Sequence, residues 1–180
     1  MSYKRWVLAA VFLFAIGLLF GLAAPSSLIA QEIAALQDLG SILPSLPPIL
    51  TAIIIFAKNA SVLLFSFALS PILCLMPILT LTINGWILTA VVSAVMEEKP
   101  LSFVLAALLP HGVIEISAIV LGEAAALSFG TMAIISLFKK ENRSRLLPSF
   151  KENLKYLMIA LGLLVPAALI ETYVTPLLLK

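Results

Sequence analysis

The sequence predicts an all-α membrane protein, a single bundle of about five transmembrane helices over residues 1–180. Three observations carry this. Of 180 residues, 62% are hydrophobic and 11% charged, where a soluble domain carries about 25% charged residues; mean hydropathy is +1.18. The apolar runs are long and rich in Leu, Ala and Ile, enough to cross a hydrocarbon core of about 30 Å as helices. No apolar–polar alternation recurs at the strand length of a membrane barrel.

The elements follow in order. Lys4 and Arg5 head an apolar run over residues 6–24. A basic head, an apolar run and small residues resemble a signal peptide, but this run is long enough to span, so a retained first helix is expected. Pro25, Ser26 and Ser27 stop it. Residues 28–39 set Gln31, Glu32, Gln37 and Asp38 among Ile33, Leu36 and Leu39, the pattern of an amphipathic helix lying on the membrane surface. Pro44, Pro47 and Pro48 then make a stiff link. The second span is expected over residues 49–73, with Lys58 and Asn59 near its middle. Pro71 and Pro77 bracket a short apolar piece suited to a tight turn or a broken helix. The third span covers residues 78–96 and holds Asn84 and Gly85, and Glu97, Glu98, Lys99 and Pro100 form a polar turn. Residues 101–109 are short and apolar, and Pro110 gives the fourth span, residues 111–138, a proline-broken lead-in. Residues 139–155 form a basic hydrophilic loop, whose Leu146, Leu147, Phe150 and Leu154 also suit a basic amphipathic segment dipping into the interface, and the fifth span covers residues 156–174. Pro71, Pro77 and Pro110 are thus read as helix-breaking.

Five spans place the N-terminus and the 139–155 loop on one side. Lys4, Arg5 and the six basic residues of that loop outnumber Lys99 and Lys180 on the other. The positive-inside rule therefore puts the N-terminus in the cytoplasm and the C-terminus outside the cell membrane. A net charge of +2 gives no reason to expect nucleic acid. The single cysteine, Cys74, cannot form an intramolecular disulfide and reads as a small buried residue.

Charged groups at membrane depth cost about 2.5 kcal/mol or more each unless paired or hydrated, so the intramembrane polar residues need an account. His111, the chain's only histidine, and Glu115 are four apart and share a helix face. Glu123 lies eight positions beyond Glu115, about 80° round the helix. Lys58 and Asn59 are natural partners for a carboxylate, and Lys58 alternatively snorkels to the interface. Asn84 with Gly85 reads as interhelical glue. Gly85, Gly112, Gly122 and Gly130 read as close-packing positions. Glu171, before Thr175 and Pro176, sits near the outer boundary. One histidine and scattered glutamates make a poor metal set, since zinc sites with oxygen ligands usually keep another histidine. A buried His–Glu pair fixing helix packing is the plainer reading, with a metal or proton-relay role as its competitor. No Ser/His/Asp set or phosphate-binding glycine loop is present, so no enzyme, cofactor or metal is expected.

These residues carry a resemblance. Lys58-Asn59-Ala60, Asn84-Gly85, Leu109-Pro110-His111-Gly112-Val113-Ile114-Glu115, Gly122, Gly130 and the terminal Ile170-Glu171-Thr172-Tyr173-Val174-Thr175-Pro176 form an ordered set that resembles the stage II sporulation protein M family. The resemblance implies a polytopic membrane protein with an interior role for Asn59, Asn84, His111, Glu115 and Glu171. In spore formers it implies a scaffold that recruits partners of a peptidoglycan-remodelling complex. The expected function is therefore a membrane scaffold or assembly factor. Its partners would be the lipid bilayer, other membrane or envelope proteins, and a further copy of itself through small-residue faces. The rival is a small ion or proton channel or transporter using His111, Glu115, Glu123 and Lys58, and a membrane enzyme ranks third.

Overall fold

In the computed structural model, residues 2–23 and 46–179 are described. The surface helix expected over residues 28–39 lies outside them. Every regular element among the described residues is helical. Helix α1 spans Tyr3–Leu22. Helix α2 spans Pro48–Leu69, opened by a proline at its first position, where a missing N–H costs nothing. Helix α3 spans Leu75–Glu98; Pro77, expected to break the helix, does not, because it falls in the first turn, where a missing N–H costs nothing. Lys99, held extended by Pro100, ends α3 with φ −125° and ψ 147°.

Between α2 and α3 the chain turns through Ser70–Cys74, closed by the Cys74 N–H on the Ser70 carbonyl at 3.0 Å. Leu73 and Cys74 both take positive φ, 52° and 54°. A side chain in this left-handed region costs about 1–2 kcal/mol. Leu73 is exposed, so Leu73→Gly is expected to raise stability by about 1 kcal/mol, read as a higher midpoint of thermal unfolding in detergent; an unchanged or lower midpoint would count against strain at this turn. Cys74 is buried, with Sγ 3.7 Å from the Leu127 carbonyl oxygen and 3.6 Å from Thr131 Oγ1. Burial pushes its thiol up, against a smaller opposing effect of Thr131. Maleimide is therefore expected to label the folded protein far more slowly than the detergent-denatured chain.

Helix α4 corrects the proline-broken lead-in. It runs unbroken from Leu101 to Phe138, 38 residues, with Pro110 inside. At 1.5 Å per residue it is about 57 Å long, well beyond the hydrocarbon thickness. Proline removes one N–H, the donor otherwise aimed at the Ala106 carbonyl, and neighbouring helices make this tolerable at membrane depth. The basic stretch is helical from Lys140 onward, as the amphipathic reading of its apolar residues allows and the loop reading does not. Lys140–Arg145 is a 3-10 helix, and helix α5 begins at Leu146 and continues to Leu169. Phe150 and Leu154 hold the first turns of α5 down by packing on the core. The buried Asn153 satisfies its amide on the Ser149 carbonyl at 2.8 Å.

After α5 the helix widens into a π turn, Ile170–Val174, and closes with the short helix α6, Thr175–Leu178. The Thr175 N–H reaches the Ile170 carbonyl, five residues back. Pro176 accounts for the widening, because its ring crowds the carbonyl four residues earlier and offers it no donor.

Cross-helix contacts give the direction of each span. Asn59 meets Glu115 and Ser66 meets Glu123, so α2 runs parallel to α4. His111 meets Thr175, and Phe129 meets Phe150, so α5 runs antiparallel to α4. Phe14 lies against Gly85 and Gly21 against Thr89, so α1 runs parallel to α3. The turn at Lys99 and Pro100 reverses the chain between α3 and α4. The five long helices thus alternate in direction, and Tyr3 stacks on Tyr156 with ring centroids 3.5 Å apart. The start of α1 and the 3-10 link share one end of the bundle.

Helix α4 is the centre. One core gathers Ala60, Leu63, Phe67, Ala118, Ala125, Leu157 and Leu164 from α2, α4 and α5. A second gathers Ala10, Phe14, Leu81, Ile119, Ala124 and Leu127 from α1, α3 and α4. The outer surface is apolar, with Leu8, Phe12, Phe20, Phe65, Leu137 and Phe138 all exposed. In water such a skin would drive aggregation, and in a bilayer it is the required lipid face.

Candidate functional site

The polar side chains inside the bundle form two groups along α4. In the first, α4 supplies His111 and Glu115 one turn apart, α2 supplies Asn59 and the exposed Lys58, and the π turn supplies Glu171. Asn59 Nδ2 donates to Glu115 Oε1 at 2.9 Å. His111 is buried, and its Nδ1 lies 3.2 Å from Thr175 Oγ1. The Thr175 hydroxyl also lies 3.4 Å from the Ile170 carbonyl; when it donates there, its oxygen accepts from His111 Nδ1–H and Nε2 keeps the free lone pair. One nitrogen of His111 and one carboxylate oxygen each of Glu115 and Glu171 all lie within 4.8 Å of one another. Lys58 is near enough for its charge to be felt at both carboxylates.

The second group is smaller and deeper. Glu123 is fully buried; Ser66 donates to its Oε2, while its Oε1 has no partner among the described residues. This carboxyl stands two turns along α4 from Glu115, separated from it by the apolar Ala118, Ile119 and Val120.

The other sequence-derived residues scatter. Asn84 turns its amide back onto the Thr80 carbonyl of its own helix at 2.7 Å and does not join either group, a local option open to any short polar side chain. Gly85 lies where α3 touches α1, and a Cβ there would strike the Phe14 carbonyl and come 2.9 Å from the Leu18 nitrogen. Gly122 admits Leu63 and Ala160, whose atoms would stand 3.0 and 3.3 Å from an added Cβ, and Gly130 admits the Ser70 backbone and Cys74. Gly112 differs from the expectation of close packing, for nothing lies within 4 Å of where its Cβ would be.

Sequence reasoning gave no role of their own to Ser66, Thr175, Gly17 and Gly21. Two signals were present. Gly17 and Gly21 have the four-residue spacing of close-packed membrane helices, and they meet Thr82 and Thr89 of α3. Ser66 falls seven after Asn59 and so lies on the same stripe of α2.

The alternating apolar helices and their cross-linked polar interior define a multi-pass helical membrane protein. The chain belongs to the stage II sporulation protein M (SpoIIM) family, whose model matches residues 10–176. It is 27% identical over 175 residues to "Uncharacterized protein MJ0793" of Methanocaldococcus jannaschii, with 94% of this chain and 93% of that protein aligned. No solved structure matches the chain.

Proposed function

We propose that the protein is a non-enzymatic scaffold or assembly factor of the cell membrane, holding other membrane or envelope proteins through its helix faces. In this reading the polar interior is a packing device that fixes how the spans meet. The observation that carries it is the way polar groups tie one helix to another: Asn59 to Glu115, Ser66 to Glu123, His111 to Thr175, and the Tyr3 hydroxyl to the Leu121 carbonyl at 2.7 Å. Interhelical hydrogen bonds in apolar surroundings lock register where packing between lipid-like side chains would slide. Membership of the SpoIIM family supports the same reading. By the positive-inside rule the start of α1 and the 3-10 link face the cytoplasm, and the His111 group lies in the outer half.

Crosslinking in native membranes, followed by mass spectrometry, tests the proposal. A stoichiometric partner is expected, captured less by His111→Ala while the variant remains folded. Ion or proton flux through the purified protein in liposomes, altered by Glu115→Gln, would replace the scaffold reading with a transport one.

A further inference from the structure

We propose that His111, Glu115 and Glu171 form a three-ligand site for a divalent transition-metal ion in the membrane, with Asn59 and Thr175 holding the ligands in place. The argument starts from charge. Two carboxylates approach within 4.8 Å of each other in a part of the chain surrounded by lipid-facing residues. Side by side they repel, and each is costly to keep from water. A dication between them makes the set neutral and removes both penalties at once. Lys58 contributes only part of this, being a single charge on an exposed side chain.

Geometry is the second line. Atoms bound about 2.0–2.2 Å from one ion stand roughly 3–3.5 Å apart, so a contraction of about 1 Å, within reach of side-chain rotation, closes the site. Two of the three inner ligands already have an outer partner. Asn59 holds one oxygen of Glu115, and Thr175 engages Nδ1 of His111, the arrangement that orients metal-binding histidines and carboxylates. The third line is backbone. Glu171 lies on the π turn, which Pro176 enforces and which is a type of irregularity frequent at functional sites, and the same turn brings Thr175 under His111. Mixed imidazole and carboxylate ligands suit Zn²⁺, and Mn²⁺ more weakly. Three protein ligands leave a position for water or a partner's side chain.

The test uses tag-free protein in detergent, stripped with chelator and dialysed against Zn²⁺ or Mn²⁺. About one equivalent of Zn²⁺ is expected to stay bound, with Mn²⁺ held more weakly. Glu115→Gln with Glu171→Gln should abolish retention, Glu123→Gln should preserve it, and Asn59→Ala should weaken affinity about 10–100-fold. X-ray absorption on the wild-type protein needs no variant. Nitrogen and oxygen neighbours with an imidazole signature are expected. Sulfur from Cys74, substoichiometric metal, or retention unchanged in the double variant would overturn the site. The outcome is independent of the scaffold reading, since a chain that binds no metal can still hold a partner.

Discussion

Gly85→Val is expected to lower stability by about 3 kcal/mol, the upper part of the usual range for overpacking. At most core positions an extra methyl meets a side chain that can rotate away. At Gly85 it meets the α1 backbone at Phe14 and Leu18, and one turn along, Gly17 of α1 presses in the same way on Thr82. Helices with glycine on both sides of a crossing can respond only by moving apart as whole rods. Separation would uncover Phe14 and Leu81 of the second core and break the bond from the Thr89 hydroxyl to the Leu18 carbonyl, 3.1 Å. Gly112→Ala is the matching control. With open space at that position, alanine should be harmless or gain about 0.5–1 kcal/mol from lower chain entropy. Denaturation by SDS, followed by helix content, measures both; equal midpoints for the two variants would show that the α1–α3 crossing yields more easily than its geometry implies.

The second large effect is expected at Ser66. Ser66→Ala takes away the one hydrogen bond that the described residues give the buried Glu123, whose other oxygen has no partner among them. Leaving a buried polar group unsatisfied costs about 1–3 kcal/mol. Replacing both members by apolar groups of similar volume is often neutral or better. The double variant Ser66→Ala with Glu123→Met should therefore recover near wild-type stability. A double variant as unstable as the single would show that the pair does more than satisfy itself, and the thermodynamic cycle over the four proteins measures by how much.

The helices were legible because membrane helices are specified by length and apolarity, which need no knowledge of neighbours. The fate of Pro110 was less so. A proline after a short apolar run reads as a break, yet residues 101–109 are apolar enough to continue, and packing against other helices decides whether the helix survives. The basic stretch was half legible: its charges suggest a loop, while Phe150 and Leu154, spaced by four, suggest an amphipathic segment, and in the structure they anchor a helix. Within the candidate site, the shared face of His111 and Glu115 followed from helical period alone. An interior role for Glu171 is implied only by the family resemblance; helical period could not supply it, because it depends on a π turn with no periodic signature in the residues. Asn84 failed because a side-chain amide satisfied on its own backbone looks, in sequence, the same as one reaching across to a neighbour.

Helix α4 belongs to both cores, and this bears on how the nascent chain matures. Neither core can form before α4 has left the ribosome, because α1 and α3 press on one side of it and α2 and α5 on the other. The first three spans therefore enter the bilayer before the helix they will pack around. Ser66 and Asn59 wait for partners not yet synthesised. The arrival of α5 then brings Tyr156 to Tyr3, and the short α6 behind it brings Thr175 to His111. A chain arrested before α4 would carry polar groups with no mate in the lipid, the kind of substrate that membrane quality-control proteases remove.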